Sequence, residues 1–201
     1  MRTDMKLGFL ASGSGTNMQA ILDACRDGRL PAEPVVAVGN NSRSRALERA
    51  RRQGIPAFHL SSRTHPDPDA LDAAIASVLG RCGADLVCLA GYMKLVGPRT
   101  LRAFEGRILN IHPALLPKYG GRGYYGRAVH EAVLASGDTE TGATVHLVDA
   151  LYDHGPVLAR VRVPVLAGDT PETLAGRVLE KEHHLFPDTL RRIAAGEIKL
   201  P

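Results

Sequence analysis

Short apolar runs alternate with longer stretches in which apolar residues recur every three or four positions, and this alternation continues along nearly the whole chain. Lys6–Ala11 reads as a buried strand, and Met18–Cys25 as a helix with apolar residues at helical spacing. Pro34–Gly39 predicts a second strand, Asn40–Ser42 a turn, and about Arg43–Gln53 a charged helix. A short third strand over Ile55–Leu60 precedes a polar loop, Ser61–Pro68, and a helix from about Asp69 to Gly80. Ala84–Ala90 is a continuous apolar run of the kind covered on both faces of a sheet. Arg107–Pro117 holds the next strand and its exit, followed by a loop rich in glycine and tyrosine, Lys118–Arg127, and a helix over Ala128–Ala135. Thr144–Val148 alternates like a strand, and Val157–Pro164 predicts a last long strand, antiparallel by hairpin logic. Gly168-Asp169-Thr170-Pro171 marks the start of a long helix reaching about Ala195, which Pro187 should break or kink. Strand–helix alternation of this kind predicts one α/β domain over residues 1–201: a Rossmann-like, doubly wound, mostly parallel sheet with a C-terminal antiparallel strand and a long C-terminal helix.

Composition narrows this picture. With 201 residues, 44% of them hydrophobic, the chain can bury a sizeable core without disulfides or metal. Cys25, Cys82 and Cys88 are odd in number and form no C-x-x-C pair, which argues against a disulfide framework and a zinc cluster and for a reducing cytosol. Met1–Lys6 is short and polar, and no run reaches the roughly 20 apolar residues of a membrane helix, so neither targeting nor anchoring is expected. The formal charge is +4, but the arginines are scattered and no aromatic platform is interleaved with them. Small anionic ligands explain that excess more economically than nucleic acid.

The candidate chemistry sits at strand ends. In Arg107–Pro117, residues two apart share a side, so Asn110 and His112 face one way while Leu109 and Ile111 anchor the other. Pro113 ends the strand and leaves both polar groups at its C-terminal edge, where open α/β sheets place ligands. An amide beside an imidazole suits carbonyl chemistry, since one can bond a developing oxyanion and the other can move a proton. Alternatively, they are a cap and a satisfied core polar group. Between the first strand and helix, Gly13, Ser14, Gly15, Thr16 and Asn17 form a glycine-rich turn that exposes backbone N–H groups at a helix N-terminus. It is either a phosphate site or a tight turn with a Ser or Thr cap. The dinucleotide fingerprint would need a glycine at Met18, and the P-loop Gly-Lys-Ser/Thr is absent, so a single phosphomonoester fits best. Asp153, just before Gly155-Pro156, has the setting of a turn former. The paired His183 and His184 lack the spacing of a helical metal site, and no metal is expected.

Asn110-Ile111-His112-Pro113, followed by Leu115-Leu116-Pro117, closely resembles the signature of the 10-formyltetrahydrofolate-dependent formyltransferases. The resemblance runs from Lys6 to about Pro187 and, within that family, is to the members that formylate glycinamide ribonucleotide in purine synthesis. It implies a catalytic triad of Asn110, His112 and Asp153, with the ribose 5-phosphate on Gly13–Asn17. It further implies Glu182 at the amino-acid end of that substrate, and Met93, Lys94, Leu95, Val96 and Asp149 on the folate side. A cis Leu116–Pro117 bond is implied as well. The phosphate-binding half would be about residues 1–100, and the folate and catalytic half about 101–201. The expected partners are glycinamide ribonucleotide and 10-formyltetrahydrofolate alone, in a cytoplasmic monomer or homodimer that binds neither nucleic acid nor membrane. The chain departs from the common pattern at Lys94, at Gly120-Gly121 and at Arg127. Relatives that formylate methionyl-tRNA or sugar nucleotides share the triad but need an extra domain or a different nucleotide loop. A formyltetrahydrofolate hydrolase or a non-catalytic phosphosugar-binding protein remains the alternative.

Overall fold

The computed structural model describes residues 5–201, so of the polar N-terminal segment, residues 1–4 lie outside it. Its elements are β1 (Met5–Ala11), α1 (Thr16–Arg26), β2 (Ala32–Gly39), α2 (Arg45–Arg52), β3 (Ala57–His59), α3 (Pro68–Arg81), β4 (Leu86–Leu89), α4 (Pro98–Ala103), β5 (Ile108–His112), α5 (Arg127–Ser136), β6 (Glu140–Leu147), β7 (Val157–Pro164) and α6 (Pro171–Ala194). The seven strands form one sheet in the order β3-β2-β1-β4-β5-β6-β7. Strands β1 to β5 pair in parallel, and β6 pairs antiparallel with both β5 and β7. The sheet is thus mostly parallel with an antiparallel end, and β6 is the strand that runs against the others.

The chain winds outward from β1 through β2 to β3, then returns to lay β4 on the other side of β1. Loops leaving β1 and β4 therefore part at their C-terminal ends and open a crevice, the usual ligand position of such sheets. Both faces of the sheet are covered. On one, Leu7, Phe9 and Leu109 pack with Met18 and Ile21 of α1 and with Phe186 and Leu190 of α6. On the other, Leu10, Val36 and Val87 meet Ile75 and Leu79 of α3 and Phe104 beyond α4. Burial on two faces explains why these strands read as continuous apolar runs.

Three features differ from the sequence reading. Helix α4 was not anticipated: its cap is remote, since buried Asp72 of α3 accepts from the N–H of Arg99 at 2.6 Å and of Thr100 at 3.1 Å. Strand β6 starts at Glu140 rather than Thr144, because pairing with β7 extends it to the Glu140–Pro164 register. Helix α6 runs unbroken through Pro187. Proline there removes one N–H, at a typical cost of about 3 kcal/mol. Leu174, Val178, Phe186 and Leu190, all fully buried, hold the helix on the sheet regardless.

Candidate active site

Strand β5 delivers the first two side chains. Ile108, Leu109 and Ile111 are buried against neighbouring strands, and Asn110 and His112 emerge at the C-terminal end. Asp153 arrives from the loop after β6, in a left-handed conformation with φ of 53°. Its carboxylate lies 3.4 Å from His112 Nδ1 and accepts from Asn110 Nδ2 at 3.3 Å and from the Gly121 N–H at 3.0 Å. Gly120 permits this approach: a Cβ there would meet Leu116 Cδ2 at 2.5 Å and Asp153 Cβ at 3.2 Å. The three residues expected to act together are thus in mutual contact, and Asp153 is both a turn residue and a member of the cluster.

His146 joins them. The β5–β6 register sets it directly opposite Asn110. Its Nδ1 is 2.7 Å from the Leu147 carbonyl, so that nitrogen carries the proton, and Nε2 accepts from Asn110 Nδ2 at 3.1 Å. The Asn110 amide is thereby held with its nitrogen toward Asp153. Sequence reading passed over His146 because its position depends on which residue of β5 it faces, and alternation within one strand carries no such register information.

Burial lowers the pKa of His112, which is only 4% exposed; Asp153 and the Tyr119 carbonyl pull it back up, and His146 opposes them. His112 Nε2 donates to that carbonyl at 2.7 Å. Burial pushes the Asp153 carboxyl upward, but the neighbouring His146 and His112 rings and the Gly121 N–H outweigh burial and hold it below its ordinary value.

These groups form one wall of a cleft of about 690 Å³. The loop Gly13–Asn17 lines the cleft at the N-terminal end of α1. Gly15, with φ of 67°, is the N-cap of α1, and no described side chain caps the helix, which leaves its first N–H groups without a side-chain partner. Any Cβ at Gly15 would lie 2.7 Å from the Ala46 Cα. Of the two readings of this turn, the structure thus has no Ser or Thr cap. Glu182, on α6 and 6% exposed, borders the same end and accepts from Asn17 Nδ2 at 3.0 Å. Burial raises the Glu182 carboxyl to about 7, against the pull of Asn17. Asn17 Oδ1 is buried with no hydrogen-bond partner among the described residues.

Met93, Lys94, Leu95 and Val96 line the cleft from the loop after β4. That loop is tied to the first one, since Met93 N–H donates to Ser12 Oγ at 2.8 Å. Val96 is buried, whereas Met93 and Leu95 are about half exposed. Asp149 does not line the cleft with them: its carboxylate accepts from the Leu151 N–H at 2.8 Å and lies 2.7 Å from His154 Nδ1. His130 of α5 does line it, 4% exposed, with Nδ1 unpartnered among the described residues.

One cleft thus brings together a helix N-terminus with no described side-chain cap, an amide, two imidazoles and a carboxylate, groups able to hold an anion and to stabilise a developing oxyanion. Residues 5–190 match the family described as formyl transferase, and the chain belongs to that family. It is 43% identical over 195 residues to the chloroplastic phosphoribosylglycinamide formyltransferase of Arabidopsis thaliana, covering 96% of this chain and 67% of that one. Its identity to the phosphoribosylglycinamide formyltransferase of Escherichia coli (strain K12) is 36%, covering 98% of this chain and 90% of that one. Glycinamide ribonucleotide transformylase 1 from Symbiobacterium toebii has a similar crystal structure, with a TM-score of 0.92, 43% identity, and coverage of 100% of this chain and 95% of that one.

Proposed function

We propose that this protein transfers the formyl group of 10-formyltetrahydrofolate to the amine of glycinamide ribonucleotide, giving N-formylglycinamide ribonucleotide and tetrahydrofolate. The observation that carries this reading is the meeting of Asn110, His112 and Asp153, from separate segments, in the cleft that also holds the uncapped N-terminus of α1. The phosphate binds the N–H groups of Gly13–Asn17, and Glu182 receives the glycinamide end. Met93 to Val96 bound the folate side. This loop precedes residue 101, so the folate side draws on both halves of the chain.

The neutral amine attacks the formyl carbon directly, and a C–N bond forms as the carbonyl becomes an oxyanion. Asn110 and the His112 imidazolium stabilise that oxygen. The 3.3 Å contact to Asp153 is long enough for the Asn110 amide to re-aim toward the oxyanion, while the His112 charge acts from a fixed ring. The amine then gives up a proton, N10 of the folate takes one, and the C–N10 bond breaks; Asp153 favours the charged form of His112 against burial and relays protons through water. The reading carries with it a cytoplasmic protein acting on small molecules as a monomer or homodimer. The three cysteines, odd in number and widely spaced in sequence, suit a reducing compartment, and no described helix is long and apolar enough to cross a membrane.

An absorbance assay with formylated folate tests it. Turnover that requires glycinamide ribonucleotide supports transfer, whereas equal turnover without the amine would make the protein a hydrolase. Phosphosugar binding with no turnover at all would leave only the non-catalytic alternative.

A further inference from the structure

The segment after β5 makes an unusual contact with the catalytic imidazole. Tyr119 is a non-glycine residue at φ of 57°, a conformation that side chains with a Cβ disfavour. It aims the Tyr119 carbonyl at His112 Nε2, 2.7 Å away. Something must hold it there, and the surroundings of the Tyr119 side chain supply the means. Its hydroxyl donates to Asp138 Oδ2 at 2.6 Å and stands 2.5 Å from Ser136 Oγ. Lys118 Nζ donates to Asp138 Oδ1 at 2.7 Å and lies 5.1 Å from the centre of the Tyr119 ring. Asp138 itself sits just past the C-terminus of α5, beyond Gly137. Two consecutive residues, Lys118 and Tyr119, are therefore fastened by their side chains to one carboxylate outside the cleft, while the Tyr119 backbone carbonyl reaches His112. Asp138 and Lys118 do not line the cleft.

We propose that Asp138, acting through Lys118 and Tyr119, is a positioning residue for formyl transfer: it pins the strained Tyr119 backbone so that its carbonyl fixes the tautomer and orientation of His112. This rests on the transferase reading above. With Nε2–H engaged by the carbonyl, His112 Nδ1 is the nitrogen left to face Asp153, 3.4 Å away. The other titratable groups facing His112 are His146 of β6 and His130 of α5. Because the Tyr119 carbonyl helps keep the imidazole proton, loosening the anchor drives the His112 pKa further down.

The test uses Tyr119→Phe, which keeps the ring and removes the hydroxyl, Asp138→Asn, and the exposed Lys118→Met. Nitrogen NMR of the free protein reads the His112 tautomer and pKa, and steady-state assays read kcat and KM for glycinamide ribonucleotide. Expected are a mixed His112 tautomer, a lower His112 pKa, and a kcat reduced roughly 10-fold in Tyr119→Phe, with KM within a factor of about two. Lys118→Met, the least disruptive change, should move the same readouts in the same direction by less. An unchanged His112 tautomer and pKa in all three folded variants would overturn the positioning role. So would a loss of kcat matched by a rise in KM with the imidazole signals unmoved, which is the signature of general loosening. Failure of the unaltered protein to formylate the amine would sink the transferase reading, a different outcome from these.

Discussion

Asp153 illustrates how one residue can be pulled in opposite directions by its setting. Burial favours the neutral acid, and the two imidazoles with the Gly121 N–H favour the anion, which prevails. His112 has the converse balance, with burial prevailing over the carboxylate. Removing the Asp153 charge takes away an interaction that raises the His112 pKa, so Asp153→Asn should lower that pKa further. Because the imidazolium is then scarcer at neutral pH, kcat should fall by roughly 10²–10⁴, with KM for both substrates changing far less. Carbon NMR of the His112 ring during a pH titration checks the first statement, and initial rates check the second. A higher His112 pKa in the variant would mean that the carboxylate does not govern the ring. Asn110 depends on a neighbour too, since His146 presents an unprotonated Nε2 to its amide nitrogen.

Among the elements, α4 shows best what a sequence conceals. Six residues with Pro98 in the first turn give a weak local signal, and the cap that completes the helix lies more than 20 residues away in α3. Asp72→Ala should therefore cost about 2 kcal/mol in urea denaturation, through two lost backbone caps and the Thr100 hydroxyl bond at 2.5 Å. A loss of only a few tenths would assign α4 to packing alone. Where periodicity was strong, the sequence was enough: β7 spans Val157–Pro164 as read, and α6 begins at Pro171 behind the Thr170 cap. What escaped was whatever depends on partners distant in sequence. His146 faces Asn110 only because of the β5–β6 register, and the first four residues of β6 are strand only because β7 lies beside them. Leu116–Pro117 is cis, as the family signature implied and as no local propensity would have suggested. In sequence a helix carboxylate such as Glu182 reads as solvated as readily as it reads as a ligand, and its burial follows from the docking of α6 against α1, where Asn17 meets it.

At the scale of the whole molecule, the buried cleft walls tie stability to pH in two opposite ways. Glu182 has a folded pKa of about 7 against an ordinary value of 4.5. Between those limits the unfolded chain releases a proton that the folded chain keeps, so stability falls as pH rises from 4.5 to 7 and levels off above. A shift of this size is worth on the order of 3 kcal/mol. His112, His130 and His183 act on the acid side: burial lowers each, so the unfolded chain takes protons first and stability falls as pH drops below 6.5. Glu182→Gln should remove the first dependence, raising stability above pH 7 while weakening binding of glycinamide ribonucleotide. Thermal unfolding across pH 5–8 would show it, and an unchanged profile would mean that Glu182 titrates alike in the folded and unfolded chain, against its raised pKa. The same cleft brings the phosphate loop, the folate loop and the triad together, and the triad must act as a unit for the proposed transfer to occur. The most direct test is a double-mutant cycle in single-turnover rates, comparing His112→Ala, Asp153→Asn and the pair. If Asp153 works by holding His112 charged and oriented, the double variant should be no slower than the worse single one, within a factor of about three. Losses that simply multiply would contradict it.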